Sequence, residues 1–206
     1  VFPGISISES VHASGTQPLL RHLEAIPMHY QLVIDFWFDE IDPKQWWRQD
    51  DEFDRRIRER FGVLHAQASK CELFAWRTSA LGRLAEIIVL DQFSRNMFRN
   101  TAQAFAFDPL ALALAQEAIT AHAPEALEPA KRAFLYMPFM HSESLLIHEI
   151  AARLFAEEGM DSNLDFELRH KVIIERFGRY PHRNAVLGRE SSDEEIEFLK
   201  TPGSSF

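Results

Sequence analysis

The sequence predicts an all-α protein built of antiparallel helical hairpins. Apolar residues recur at i, i+3 and i+4 almost without break from His29 onward. No segment alternates with period two long enough to make a strand. Helix punctuation recurs along the chain, as Asp108-Pro109, Glu128-Pro129 and Ser192-Asp-Glu-Glu195.

The elements follow in order. Residues 1–17 are rich in Ser, Gly and Pro and carry a single charge, Glu9, so residues 1–27 read as an arm outside the core. Within them Pro18–Ile26 reads as a short docking helix, and Met28 as a candidate start of a single helical domain over 28–206. His29–Glu40 places Leu32, Val33, Phe36 and Trp37 at helical spacing. Asp50–Gln67 repeats Phe53, Ile57, Phe61 and Leu64 on one side, with charges opposite. Ser79–Arg99 is apolar nearly all round in its first half, which marks a central, buried helix. Asp108 caps a helix through Ala121, and Glu128-Pro129 opens another that Pro138 should end or kink. Helices follow over residues 142–158 and 163–177. Gly178 then supplies a left-handed stop, and Pro181 a new start. A capping box at Ser192 opens the last helix. No repeat of fixed period stands out, so the pattern alone does not establish a solenoid.

Composition removes several function classes. The chain of 206 residues carries a formal net charge of -9, which argues against a general affinity for nucleic acid or an anionic membrane surface. No apolar run reaches bilayer length, and the N-terminus lacks signal-peptide features. The single Cys71 excludes an internal disulfide and a cysteine metal cage, which makes a reducing cytoplasm the expected location.

Against that acidic background, Arg176–Arg189 (R-F-G-R-Y-P-H-R-N-A-V-L-G-R) holds four arginines, one histidine and no acid. Such arginines must meet buried carboxylates or an anionic ligand. A second cluster, Asp91–Arg99, sits on the long central helix. Asp91, Arg95 and Arg99 share the face of Leu84 and Ile88, with Gln92 and Asn96 as a parallel stripe. If Pro181 starts a helix, His182, Arg183 and Asn184 occupy its first turn, where amides and dipole favour an anion. In the third constellation, Met137–Glu143, Ser142 reads as an N-cap and Glu143 as a first-turn acid rather than as nucleophile and partner. His148-Glu149 does not complete a zinc motif, because Ala152 stands where the second histidine belongs. His141 and His148, roughly 10 Å apart on a helix, do not share one metal. Trp46, Trp47 and Phe53 read as core rather than as a ring-stacking platform.

These residues also carry a resemblance. Asp35–Phe38 (D-F-W-F), Phe53-Asp54 with Ile57 and Arg60-Phe61, L-D-Q-F-x-R-N-x-F-R (Leu90–Arg99), A-F-x-x-D (Ala104–Asp108), F-L-Y-M-P-F-x-H-S-E (Phe134–Glu143) and the Arg176–Arg189 motif run in order. Over about residues 30–200 they resemble an uncharacterised bacterial domain-of-unknown-function family. That resemblance implies a tetratricopeptide-like array or bundle and no established activity. Many members carry an acid just before His-Ser-Glu. Met140 stands there in this chain, which argues against a two-acid or metal role.

Three functional readings follow. In the leading one, a polar pocket binds a small anion or an acidic peptide end through Arg95, Arg99, Arg179 and Arg183. Gln92, Asn96, His182 and Asn184 set its orientation, Tyr180 or Phe98 stacks on it, and Asp91 and Glu143 are structural partners. Asp91 and Glu143 are too few for four buried arginines, so at least one arginine is expected to stay exposed or to bind an outside anion. The second reading is a hydrolase with His141 or His182 as general base and Glu143 as partner. The third is an interaction scaffold whose arginines are purely structural. No cofactor or metal is expected, and oligomeric state stays open.

Overall fold

In the computed structural model, residues 29–205 are described. All their regular structure is helical. The expected arm and its helix over Pro18–Ile26 lie outside them. Eight α-helices follow in order: α1 His29–Asp35, α2 Asp51–Ala68, α3 Ala80–Met97, α4 Asp108–Thr120, α5 Pro129–Met140, α6 Leu145–Leu154, α7 Asp161–Phe177 and α8 Asp193–Phe198. Short 3-10 turns join most of them. Helix α1 widens into a π-type turn over Phe36–Glu40, which carries Phe36 and Trp37 into the core.

Helix α3 is the hub, packing against α1, α2, α4 and α5. Its all-round apolar first half is the reason: Leu84, Ala85, Ile88, Val89, Leu90 and Phe93 are fully enclosed. The Phe93 ring lies 4.8 Å from Phe61 of α2 and 5.5 Å from Trp37. Beyond this aromatic centre α5, α6 and α7 pack in sequence. A smaller cluster of Ile173, Ile174 and Tyr180 sits at the C-terminal end, with Phe177 and Phe198 against it.

The Ser192 capping box is formed as expected. Asp50 also caps α2 through the Glu52 and Phe53 amides, and Ser79 caps α3 through Gly82. Gly178 ends α7 at φ 65°, in the left-handed region that glycine enters at little cost.

Four local expectations are corrected. Asp108 does not cap α4 but is its first residue, after Phe107, and its carboxylate is drawn to Arg95 and Arg183 instead of to the first amides. Helix α5 runs through Pro138 and ends only at Met140. The missing amide deprives one carbonyl of a partner in the last turn, and burial of Pro138 among enclosed neighbours outweighs that loss. Ser142 does not cap α6, whose first residue is Leu145. Its hydroxyl accepts instead from the Ser144 amide at 3.2 Å. Pro181 opens only a single 3-10 turn, Pro181–Arg183. So short a turn has no useful helix dipole, and the expected anion site in a helical first turn is not formed.

Gly82 makes a testable close approach. A Cβ there would sit 2.9 Å from the Trp76 carbonyl carbon and nearer still to its oxygen. Gly82→Ala gains up to about 1 kcal/mol of helix propensity. It must also displace backbone in a filled core, which costs about 1–3 kcal/mol or more. Thermal melting is expected to show a net loss of about 2 kcal/mol. A variant as stable as the parent would show that the turn before α3 yields freely.

Candidate functional site

The lower half of α3 carries the polar face, and Asp91 is its deepest member, fully buried. Its carboxylate accepts from His141 Nδ1 at 2.7 Å, Gln92 Nε2 at 2.6 Å and Arg95 Nη1 at 3.3 Å. Burial works to raise the Asp91 pKa. His141, Arg95 and Gln92 oppose burial and win, holding the carboxyl well below the usual range. Because an ionised carboxylate only accepts, Nδ1 of His141 carries the proton. Burial and the charge of Arg95 lower the His141 pKa, so the ring is neutral near pH 7. Its Nε2 has no hydrogen-bond partner among the described residues.

Arg95 donates back to the Asp91 carbonyl at 2.8 Å and forms a two-pronged pair with Asp108, at 3.0 Å and 3.0 Å. Asp108, at the start of α4, therefore does more than open a helix. Its Oδ2 also accepts from Arg183 Nη1 at 3.3 Å, which brings the two arginine clusters into contact. The Arg183 guanidinium lies between the rings of Phe105 and Tyr180, 4.6 Å and 4.5 Å from their centroids. It is 6 % exposed, and its Nε is enclosed without a partner. Burial and the neighbouring charge of Arg95 push its pKa down.

Glu143 lies on the connection between α5 and α6. Arg189 grips it with two hydrogen bonds, 2.7 Å and 2.9 Å, and the Tyr180 amide donates to it at 2.8 Å. Burial raises its pKa, but Arg189 and the Tyr180 amide bring it below the ordinary value. The Tyr180 hydroxyl donates to the Met140 carbonyl at 2.6 Å. The C-terminal segment is thereby clasped onto the end of α5.

Between these groups opens a cleft of about 370 Å³. Arg183, Asp108, His141 and Glu143 line its polar side, and Phe105, Leu112, Pro138 and Leu187 its apolar side. Behind it, His148 is fully enclosed, with Nδ1 2.7 Å from Glu167 and Nε2 2.8 Å from the Ser142 carbonyl. This histidine supports the cleft wall. Among the described residues no group of three or more His, Cys, Asp or Glu side chains is placed to hold a metal.

Several sequence-predicted site residues lie elsewhere. Arg99 forms a two-pronged pair with Asp54 of α2 at 2.5 Å and 2.8 Å, and Asn96 donates to the same carboxylate at 2.8 Å. Arg179 pairs with Glu195 of α8 at 2.7 Å and 2.8 Å. Asn184 is buried and donates to Ser191 at 3.0 Å. Gln92 serves Asp91 rather than the cleft, and His182 packs against Tyr180 with ring centroids 5.5 Å apart. The physical reason is tertiary pairing, because Asp54, Asp108 and Glu195 supply three carboxylates from outside the two arginine clusters. The argument from too few acids is corrected accordingly: each of Arg95, Arg99, Arg179 and Arg183 reaches a carboxylate.

The three missed acids left faint signals. Asp54 sits three residues before Ile57 and seven before Phe61, at the edge of the buried stripe of α2. Asp108 and Glu195 looked fully explained as helix-start residues. The aromatic reading also needs correction at Trp47, which is 64 % exposed, while Trp46 packs against Phe134 at 4.8 Å.

Residues 33–203 match the model of a family described as bacterial protein of unknown function (DUF924). The chain belongs to this family. The chain is similar to the solved structure of a protein of unknown function from Agrobacterium tumefaciens, at 38 % identity. The match covers 83 % of this chain and 96 % of that one, with a TM-score of 0.79. No curated protein matches the chain. DUF924 membership therefore comes with a fold and no activity. Among the described residues, no helix is long and apolar enough to cross a membrane.

Proposed function

We propose that the cleft between α4, α5 and the C-terminal segment binds a small anion or an acidic peptide end, with Arg183 as its anchor. One observation carries this reading. Arg183 is buried, yet its five N–H donors make one hydrogen bond, at 3.3 Å. A buried guanidinium left so short of partners is costly. An anion in the cleft would supply them and offset the repulsion from Arg95. Arg99 and Arg179, sealed on Asp54 and Glu195, drop out of the proposed binding set.

The reading keeps a tetratricopeptide-like arrangement and a cytoplasmic setting as parts of the proposal. Sequential packing of α2 through α7 supports the first and the lone Cys71 the second. The hydrolase alternative changes its partner, since the acid bonded to His141 is Asp91 rather than Glu143. One observation favours the scaffold reading. Trp47 lies nearly parallel to the buried Phe134 at 6.1 Å and to the half-exposed Phe166 at 6.5 Å, so Trp47 and Phe166 form an aromatic pair open to solvent.

Thermal-shift titration with inorganic phosphate, acetate and longer carboxylates tests the proposal. An anion at 100 times its Kd should add about 2.7 kcal/mol of stability. Arg183→Met keeps the stem between Phe105 and Tyr180 and is expected to lose the response while changing stability by less than about 1 kcal/mol. If no anion shifts the parent, or the variant responds equally, the proposal fails and the scaffold reading gains.

A further inference from the structure

The cleft offers more than a cation. His141 is fixed by its bond to Asp91, so Nδ1 is the donor and Nε2 presents a lone pair. His141 and Arg183 line the same cleft, and a continuous chain of pairs joins them, from Arg183 through Asp108, Arg95 and Asp91 to His141. A ligand satisfying both needs a negative group for Arg183 and a hydrogen-bond donor for Nε2. Much of the remaining lining, with Phe105, Leu112 and Leu187, is apolar and suits a short carbon skeleton.

Charge selects the kind of anion. Three carboxylates, Asp91, Asp108 and Glu143, already face three guanidinium groups, Arg95, Arg183 and Arg189. Asp108 and Glu143 also line the cleft. A dianionic phosphate would crowd these acids, whereas a monoanionic carboxylate adds one charge beside the under-bonded Arg183. The burial and the Arg95 charge that keep the His141 ring neutral also disfavour an ammonium beside it, whereas a hydroxyl donates without a charge.

We propose that the ligand of this cleft is a short hydroxycarboxylate, its carboxylate held by Arg183 and its hydroxyl donating to Nε2 of His141. This rests on the anion-binding reading and makes it specific. A ligand without the hydroxyl leaves Nε2 facing an apolar group and forfeits a hydrogen bond in a partly dry site. A ligand with a ketone there brings a second acceptor against the lone pair and is disfavoured further.

The test compares matched probes by calorimetry on the full chain: lactate against propionate and pyruvate, and 3-hydroxybutyrate against butyrate. At least one hydroxy acid should bind about tenfold more tightly than its deoxy parent, which is about 1.4 kcal/mol. His141→Phe should erase that preference while carboxylate binding persists. Because this variant removes a donor from Asp91, a second readout uses the parent protein. In nitrogen-15 spectra of the histidine rings, Nε2 of His141 should be unprotonated and shift with the hydroxy acid but not with propionate. Equal affinity within each matched set, or a protonated Nε2 at neutral pH, overturns the hydroxycarboxylate proposal and leaves anion binding standing. Failure of every probe, phosphate included, overturns both.

Discussion

Asp91→Ala is expected to destabilise the protein by roughly 3–5 kcal/mol. The carboxylate has no solvent to fall back on and serves three donors, from His141, Gln92 and Arg95. Removing it leaves the His141 N–H and the Gln92 amide without a buried acceptor. It also leaves Arg95 and Arg183 sharing Asp108 as their one carboxylate. Unpaired buried donors cost about 1–3 kcal/mol each, and the uncompensated charge adds to that. Urea unfolding of the parent, Asp91→Ala and a surface control gives the measurement. Asp165→Ala is a suitable control, because Asp165 and its partner Arg169 are both exposed and such pairs are worth about 0–1 kcal/mol. A loss below about 1 kcal/mol for Asp91→Ala would show that the polar face of α3 repacks freely.

Mild acid should cost the fold about as much. His170 and His182 are held down by burial to about 3 and about 4, from an ordinary value of 6.5. Neighbouring Arg183 and Arg95 add to the depression at His182. Below pH 6.5 the unfolded chain takes up protons that the native rings refuse, so stability falls as pH falls. Each ring then loses about 1.4 kcal/mol per pH unit, or about 2 kcal/mol by pH 5. The two together give about 4 kcal/mol between pH 7.5 and 5. His141 and His65, also depressed by burial, act in the same direction. Glu167, whose pKa burial raises, works the opposite way as one group. Below about pH 4, the depressed carboxyls of Asp91, Glu143 and Glu195 add a second loss, since the unfolded chain protonates them first. Denaturation midpoints across this range would show the decline, and a flat profile from pH 7.5 to 5 would contradict the neutral, buried histidines.

The framework was legible because its signals are local. The apolar stripe of Asp50–Gln67 became α2, and the all-round apolar start of Ser79–Arg99 became the hub α3 within two residues at each end. The capping box at Ser192 read correctly for the same reason, since the cap and its amide lie three residues apart. The cleft was only half legible. Sequence could say that Arg95, Arg99, Arg179 and Arg183 need partners, but not which. Asp54 meets Arg99 across 45 residues, and Asp108 meets Arg183 across 75. Helical periodicity carries no information over such spans. The turn at Pro181 failed differently. Pro and a basic run looked like a helix start, yet Glu143 draws Arg189 and the Tyr180 amide inward and folds that segment back on itself.

The clasp by Glu143 has a consequence for the order in which the molecule assembles. The α2–α3 contact joins neighbours in sequence and sets Phe61 against Phe93, so it can close early. The cleft needs Glu143 to find Arg189 and Asp108 to find Arg183, separations of 46 and 75 residues. Its C-terminal wall rests on the small cluster of Ile173, Ile174 and Tyr180 rather than on the main core. That wall is expected to open as a separate cooperative unit, at a lower free energy than the whole chain. Amides of residues 180–189 should therefore exchange with solvent through a local opening, while those of α3 wait for global unfolding. Any ligand bridging Arg183 and His141 would slow the first kind of exchange and leave the second almost unchanged.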